Sequence, residues 1–238
     1  MIGEVTAVIL AGGLGTRLRS AVSDRPKVLA DVAGQPFLER IFEQLRGFGI
    51  RKVVVCTGYM AEQIEHLYPE SFKDLSITYS RERSLLGTAG AVRFAIDHIT
   101  TDRALILNGD SYCDFNFGAL KSFHDSNDAE ASILLAYVED CARYGSVVLD
   151  ETKKVESFIE KSGAGGPGLI NAGVYVVERP LIKEIPPGRV LSLEKDIFPR
   201  WIGRAFFGFA ANAPMFIDIG TPQSFQHAQN LFAYRSES

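Results

Sequence analysis

Three glycines, an arginine and a lysine near the amino terminus carry the strongest chemical signal in this sequence. They lie in LAGGLGTRL, residues 10–18, and in DRPKVLADVAGQPFLE, which begins at Asp24. Gly12, Gly13 and Gly15 remove side chains where a backbone could fold closely around phosphates and offer successive amides to them. Arg17 adds a rigid fork suited to phosphate oxygens. Lys27 follows Pro26, which restricts the backbone, and supplies a second cation to counter the charge of a triphosphate. The loop lacks the GK[ST] ending of a Walker loop and does not complete GxGxxG. On local pattern alone two readings stand: a phosphate cradle, or a tight strand-to-helix turn with solvated cations beside it.

Two carboxylates extend the signal. LILNGDSYCD sets Asp110 just past an apolar run, and MFIDIGTPQSF ends another run with Asp218. In a parallel sheet the carboxyl ends of strands point toward the ligand crevice, so a carboxylate there is well placed for a cation. Taken singly, each is also an ordinary turn or helix-entry residue. His66, His98, His124 and His227 fall on expected helices without metal-ligand spacing, and no serine stands in a GxSxG elbow. Cys56, Cys113 and Cys141 are widely separated and form no CxxC pair, which reads as buried free thiols in a reducing compartment.

The elements that must position these groups follow from hydrophobic spacing. Residues 5–10 form a short apolar run bounded by glycines, as a buried first strand would. Phe37, Leu38, Ile41, Phe42, Leu45 and Phe48 recur at helical spacing, with Gly49 as a stop, and residues 52–57 read as a second buried strand. Strands are expected at 75–80 and 104–108, and helices at 88–99 and 117–126. This alternation marks an α/β domain with a mostly parallel sheet. Beyond residue 126 the rhythm changes: strands at 132–138, 145–149, 155–159 and 173–177 leave little room for helices and suggest an antiparallel extension. SGAGGPG, residues 162–168, reads as a mobile loop. Ser192 is expected to cap a helix over 193–201, and Thr221 with Pro222 to start a last helix ending near Tyr234.

The chain has 238 residues and a net charge of −4, with 25 lysines and arginines against 29 acidic residues. That balance argues against a broad nucleic-acid surface and for anions held in a local pocket. The opening segment has no basic leader and no apolar run near the length of a membrane span, so the cytoplasm is the expected location and no membrane partner is expected.

The phrase GGLGTRL followed by RPK resembles the signature of the sugar-1-phosphate nucleotidyltransferases, and the resemblance extends through most of the chain. It implies a Rossmann-like, glycosyltransferase-A-like α/β fold, with a mostly parallel central mixed sheet and an antiparallel sugar-binding extension. The whole chain would be one domain, its nucleotide-binding portion mainly 1–116 and its sugar-phosphate portion mainly 117–238. The resemblance implies a phosphate cradle running from Leu10 and Ala11 through Gly12, Gly13, Gly15 and Thr16, with Arg17 and Lys27 on the triphosphate. Gly87, Thr88 and Ala89 would lie beside the nucleobase, and Asn108 would be a neighbouring polar group. Asp110, next to Gly109, and Asp218 would hold magnesium. Tyr144, Gly145, Asn171 and Gly173 would frame the sugar, with Glu160 accepting from its hydroxyls and Lys161 on its phosphate. The opening resembles most the branch that transfers guanylyl groups to D-glycero-α-D-manno-heptose 1-phosphate, which implies GTP and that sugar phosphate as partners. Transfer to mannose 1-phosphate, thymidylyl or uridylyl transfer to glucose 1-phosphate, cytidylyl transfer to phosphocholine and a non-catalytic nucleotide-binding regulator are the alternatives. A homodimer is expected only from the frequency of symmetric pairs.

Overall fold

The computed structural model describes residues 5–159, 165–211 and 215–237. The first strand, β1 (Thr6–Leu10), is followed by a glycine loop and a short hairpin of β2 (Asp31–Val32) and β3 (Gln35–Pro36). Then come α1 (Phe37–Gly47), β4 (Lys52–Thr57), α2 (Ala61–Leu67), β5 (Ser71–Phe72) and β6 (Leu75–Arg81). The chain continues through α3 (Gly87–Phe94), β7 (Arg103–Asn108), β8 (Ser111–Cys113), α4 (Phe117–Ser126), β9 (Ala131–Val138), β10 (Ser146–Leu149), β11 (Val155–Ile159) and β12 (Gly168–Glu178). Last are α5 (Arg179–Lys183), a π-helical turn (Leu193–Ile197), α6 (Phe198–Trp201), β13 (Phe206–Ala210), β14 (Phe216–Asp218) and α7 (Pro222–Glu237).

The central sheet runs β11-β10-β12-β7-β1-β4-β6-β5, with β9 beside β12 and β13 beside β9. β7, β1, β4 and β6 are parallel, whereas β12 is antiparallel to β7 and to β9. This is the expected mostly parallel sheet with an antiparallel extension, although β13 joins β9 in parallel. Its consequence for the site is geometric. The carboxyl ends of β1, β6 and β7 and the early half of β12 meet at one edge, because Leu10 pairs with Asn108 and Val174 with Leu107.

Both faces of the sheet are covered. Ala7 and Ile9 of β1, Val53 and Val55 of β4 and Leu105 and Leu107 of β7 face one core, which α1 and α7 close. Val8, Val54 and Ile106 face the other, closed by α3, α5 and α6. Strands buried on both sides must be apolar at every position, and for that reason they show no alternation in sequence. In α1, Phe37, Leu38, Ile41, Phe42 and Leu45 are buried at the spacing of one helical face. Gly49, at φ +78°, ends it by donating its N–H to Arg46.

Several boundaries differ from expectation. β12 begins at Gly168, five residues before the expected strand and at the last residue of the expected loop, of which residues 162–164 lie outside the described residues. The helix expected at 88–99 is α-helical only to Phe94 and tightens to a 3₁₀ turn over Ala95–His98. Ser192 caps as expected, accepting from Glu194 and Lys195, but the first turn is π-helical. Pro199 lacks the N–H that would close an i to i−4 bond there. α7 runs on to Glu237, past the expected end near Tyr234. Cys56 and Cys113 are buried free thiols, while Cys141 is half-buried. Among the described residues no helix is long and apolar enough to cross a membrane.

His124 of α4 is buried between Ser132 Oγ (2.8 Å) and Glu178 Oε1 (3.1 Å), a structural position. Burial pushes its pKa below the ordinary 6.5, against the opposing pull of Glu178. The unfolded chain therefore takes up a proton first as pH falls through 6.5, and native stability declines below that value. The unfolding midpoint is expected to drop from about pH 7 to about pH 5 more steeply in the wild type than in His124→Gln. Parallel pH slopes in the two proteins' melting curves would contradict this.

Candidate active site

The glycine loop leaves β1 at the sheet's ligand edge and lies against two side chains. A Cβ on Gly12 would come within 2.7 Å of Glu82 Oε1, and Gly15, at φ +60°, would bring one within 3.2 Å of Lys27 Cβ. Gly15 is favoured by its backbone conformation, whereas a side chain at position 12 would have to displace the Glu82 carboxylate. Gly13 meets nothing within 4 Å and faces open space. Leu10, Ala11, Gly13, Gly15, Thr16 and Arg17 line a hollow shared with Lys27, Val28, Asp110 and Gly220.

Lys27 opens a 3₁₀ turn whose next residues, Val28 and Leu29, are buried, so the lysine is anchored on a fixed stem. Its Nζ lies 2.6 Å from Asp110 Oδ2, with the lysine side chain 11 % exposed and the aspartate 41 %. Burial acts to raise the Asp110 pKa, but the ammonium of Lys27, the Ser111 hydroxyl and Arg17 outweigh it and hold the carboxyl below its ordinary value. Asp110 is thus an anion with one oxygen committed to Lys27 and the other 3.2 Å from Ser111 Oγ.

Asp218 reaches the same place through a two-stranded ladder. β14 pairs antiparallel with β8, setting Asp218 opposite Ser111, and Ile219 N–H donates to Asp110 O. Asp218 Oδ1 accepts from Gly220 N–H (2.7 Å) and Ser224 Oγ (3.0 Å), while Oδ2 accepts from the Tyr144 hydroxyl (3.2 Å). A Cβ on Gly220 would lie 2.6 Å from Asp218 Oδ1, 3.6 Å from Lys27 Nζ and 3.8 Å from Arg17 Nη2. One carboxylate and two cations thus converge around a residue that has no side chain.

Two further hollows adjoin this centre. One, of about 430 Å³ and mainly apolar, is lined by Gly12, Cys56, Leu85, Gly87, Thr88 and Ala91, with Glu82 in its wall; its size suits a small-molecule site. Glu82 Oε2 accepts from Leu86 N–H at 3.0 Å, and burial raises its pKa. Ala89, expected beside a base, is buried in the second core, and its N–H is committed to Leu191 O. The other hollow is lined by Asn108, Tyr144, Gly145 and Asn171 together with Arg143 and Glu194. Asn171 holds β12's bulge: its Oδ1 accepts from Gly173 N–H and its Nδ2 donates to Tyr175 Oη, both at 2.8 Å. Gly173, at φ +75°, sits behind Asn108, and Gly109 is buried with its N–H on Leu10 O, so neither lines the hollow. Asn108 Oδ1 is buried without a hydrogen-bond partner among the described residues, an acceptor in want of a donor. Glu160 and Lys161 lie outside the described residues.

Sequence reading missed Glu82, Arg143 and Glu194. Arg143 is beside an expected site residue, Tyr144, and its Nη2 lies 3.3 Å from Thr221 Oγ1 and 3.8 Å from Asp218 Oδ2. Adjacency was the only signal available for it. Among the described residues, no group of three His, Cys, Asp or Glu gathers as a metal cluster.

Comparison with known proteins gives these pockets a context. The family model for nucleotidyl transferases matches residues 6–234. D-glycero-α-D-manno-heptose 1-phosphate guanylyltransferase of Aneurinibacillus thermoaerophilus is 36 % identical over 224 residues, covering 94 % of this chain and 96 % of that protein. Mannose-1-phosphate guanylyltransferase of Mycobacterium tuberculosis is 35 % identical over 226 residues, but the chain spans only 63 % of its length. The crystal structure of HddC from Yersinia pseudotuberculosis complexed with GMP-PN superposes with a TM-score of 0.84 at 34 % identity, covering 96 % of this chain and 99 % of that one. A likeness of that extent identifies the architecture as the Rossmann-like, glycosyltransferase-A-like nucleotidyltransferase fold.

Proposed function

The chain belongs to the nucleotidyl transferase family, among its enzymes of sugar 1-phosphates, and from that premise we propose that it joins GTP to D-glycero-α-D-manno-heptose 1-phosphate, forming GDP-heptose and pyrophosphate. The observation that carries the reading is that an apolar hollow and a polar hollow meet where Arg17, Lys27, Asp110 and Asp218 gather. A base in the first and a sugar in the second would bring their phosphates together at that centre. The names of the Aneurinibacillus relative and of the GMP-PN complex support the guanine and heptose assignments. Mannose 1-phosphate is the second reading, supported by the name of the Mycobacterium relative.

In the proposed reaction an oxygen of the sugar phosphate attacks the α-phosphorus of GTP in line. The bond from that phosphorus to the bridging α–β oxygen breaks, and the electron pair leaves with pyrophosphate. The nucleophile is already an anion, so no protein base is required. The barrier lies in bringing anions together and in charge growing on the leaving group, which fixed cations and positioning relieve. Arg17 and Lys27 steady the triphosphate, Lys161 aims the sugar phosphate, and Arg143 stands at the mouth of the sugar hollow.

The donor set fits magnesium: two carboxylates offering oxygen alone, beside a phosphate path, with Asp110 held ionised by its neighbours. Asp110 and Asp218 would hold the ion, which when bound would supply positive charge to the phosphate oxygens.

Glu82 is the group we assign to guanine. Its Oε1 faces the loop at Gly12 and Gly58, in the wall of the base hollow. A carboxylate accepts from adjacent N1–H and N2–H donors, a pair that guanine alone among the common bases presents. Glu82→Gln is expected to lower kcat/KM for GTP by about 10- to 100-fold. Inosine triphosphate, which lacks the 2-amino group, should be about tenfold poorer than GTP with the wild type and nearly equal to it with the variant. An unchanged GTP preference in Glu82→Gln would remove this assignment.

A further inference from the structure

One carboxylate in the sugar hollow is hydrogen-bonded to a threonine of the base hollow. Glu194, on the π-helical turn, lines the hollow with Asn108, Tyr144, Gly145 and Asn171. Its Oε2 accepts from Thr88 Oγ1 at 3.0 Å and Ser192 Oγ at 2.7 Å. Thr88 in turn lines the base hollow and accepts from Leu193 N–H at 2.7 Å. Among the described residues Glu194 Oε1 has only a 3.5 Å contact, from the Tyr175 hydroxyl. Burial drives the Tyr175 pKa well above its ordinary value, so that phenol stays protonated while it accepts from Asn171 Nδ2. A carboxylate has about four acceptor sites. Two good donors satisfy Oε2, whereas Oε1 retains acceptor capacity on a residue that lines the sugar hollow.

We propose that Glu194 is a specificity-determining residue that accepts a hydrogen bond from a hydroxyl of the sugar through Oε1 and, through Thr88 on Oε2, ties that contact to the base hollow. The proposal rests on the reading of the two hollows as nucleotide and sugar-phosphate sites. The ligand class is a polyhydroxylated ring, since an anionic acceptor beside the two amides Asn108 and Asn171 suits hydroxyl donors and disfavours a bare apolar or acidic group. The link to Thr88 implies that a correctly seated base holds Glu194 in the rotamer that meets the sugar. Nucleotide and sugar would then be bound in concert, by one side chain shared between their pockets.

The test is steady-state kinetics of the full chain with GTP, magnesium and mannose 1-phosphate, compared with analogues each lacking one ring hydroxyl. The wild type is expected to lose about tenfold or more in kcat/KM on one analogue. Glu194→Gln keeps the side chain's size. The hydroxyls of Thr88 and Ser192 hold its amide oxygen at the Oε2 position, which leaves a nitrogen where Oε1 accepted. That variant is expected to raise KM for the parent sugar phosphate to the level of the deoxy analogue, with no further loss on the analogue itself. Thr88→Val is expected to raise KM for the sugar phosphate about threefold or more, although it sits in the base hollow. Equal penalties for every analogue in wild type and Glu194→Gln overturn the proposal, as does an effect of Thr88→Val confined to GTP. Wild-type activity in those outcomes leaves the broader reading standing, whereas wild-type silence with GTP and both mannose and heptose 1-phosphates overturns both.

Discussion

Asp110→Ala is expected to lower kcat by about 10³-fold or more while leaving the fold intact, because it removes a carboxylate proposed to hold magnesium and leaves Lys27 unpaired. Asp110 lies past the end of β7, outside both apolar cores, and its side chain is 41 % exposed. Its loss therefore opens no cavity of the kind that makes core truncations costly. Asp110→Asn separates charge from shape: the amide fits the same space but is neutral, and the loss of turnover should be nearly as large. Folding is checked by the thermal midpoint of each variant, expected within a few degrees of wild type. Turnover within about tenfold of wild type in either variant would contradict the assigned role.

Lys27→Ala is expected to cost about 10²- to 10³-fold in kcat/KM, the scale seen when one fixed electrostatic group is lost from a transition state. The lysine is held by the buried residues Val28 and Leu29 and by the 2.6 Å contact with Asp110, so its charge is organised before any ligand arrives. Removing it also takes away the nearest cation that holds the Asp110 pKa down, so that pKa rises. The acid side of the pH–rate profile of Lys27→Ala should accordingly move to higher pH. Lys27→Arg is expected to restore no more than about a tenth of the activity, since a planar guanidinium is larger and less compact than an ammonium. Kinetics of Ala and Arg variants with GTP check both statements; an active Arg variant would reduce Lys27 to a generic positive charge.

The most legible elements were those with a single clear hydrophobic pattern, whereas the short β2, β3, α2 and β5 were not expected at all. β4 and α4 match their expected bounds, and α1 follows the spacing of its buried face. β1 and β7 shift by one residue. The two aspartates could be named because each follows an apolar strand, but their meeting depends on the three-residue ladder of β8 and β14, too short to leave a pattern. The start of β12 was hidden because Gly168 and Asn171 are residue types that normally mark loops, and its pairing is supplied by β9. Glu82 and Glu194 are ordinary acidic residues in sequence. What sets them apart is burial beside Gly12 and contact with Thr88, both products of tertiary structure. Base identity was sought in the backbone of residues 87–89, whereas Ala89 turned out to serve packing and a side chain five residues before Gly87 faces the base hollow.

The most direct test of the account is pyrophosphate release from GTP, ATP, CTP, UTP and dTTP, each paired with D-glycero-α-D-manno-heptose 1-phosphate, mannose 1-phosphate, glucose 1-phosphate or phosphocholine, with magnesium and with a chelator. Release should require magnesium and a sugar 1-phosphate, and should be fastest with GTP and the heptose phosphate. Release without any sugar phosphate, a preference for CTP with phosphocholine, or undiminished release in the chelator would contradict it.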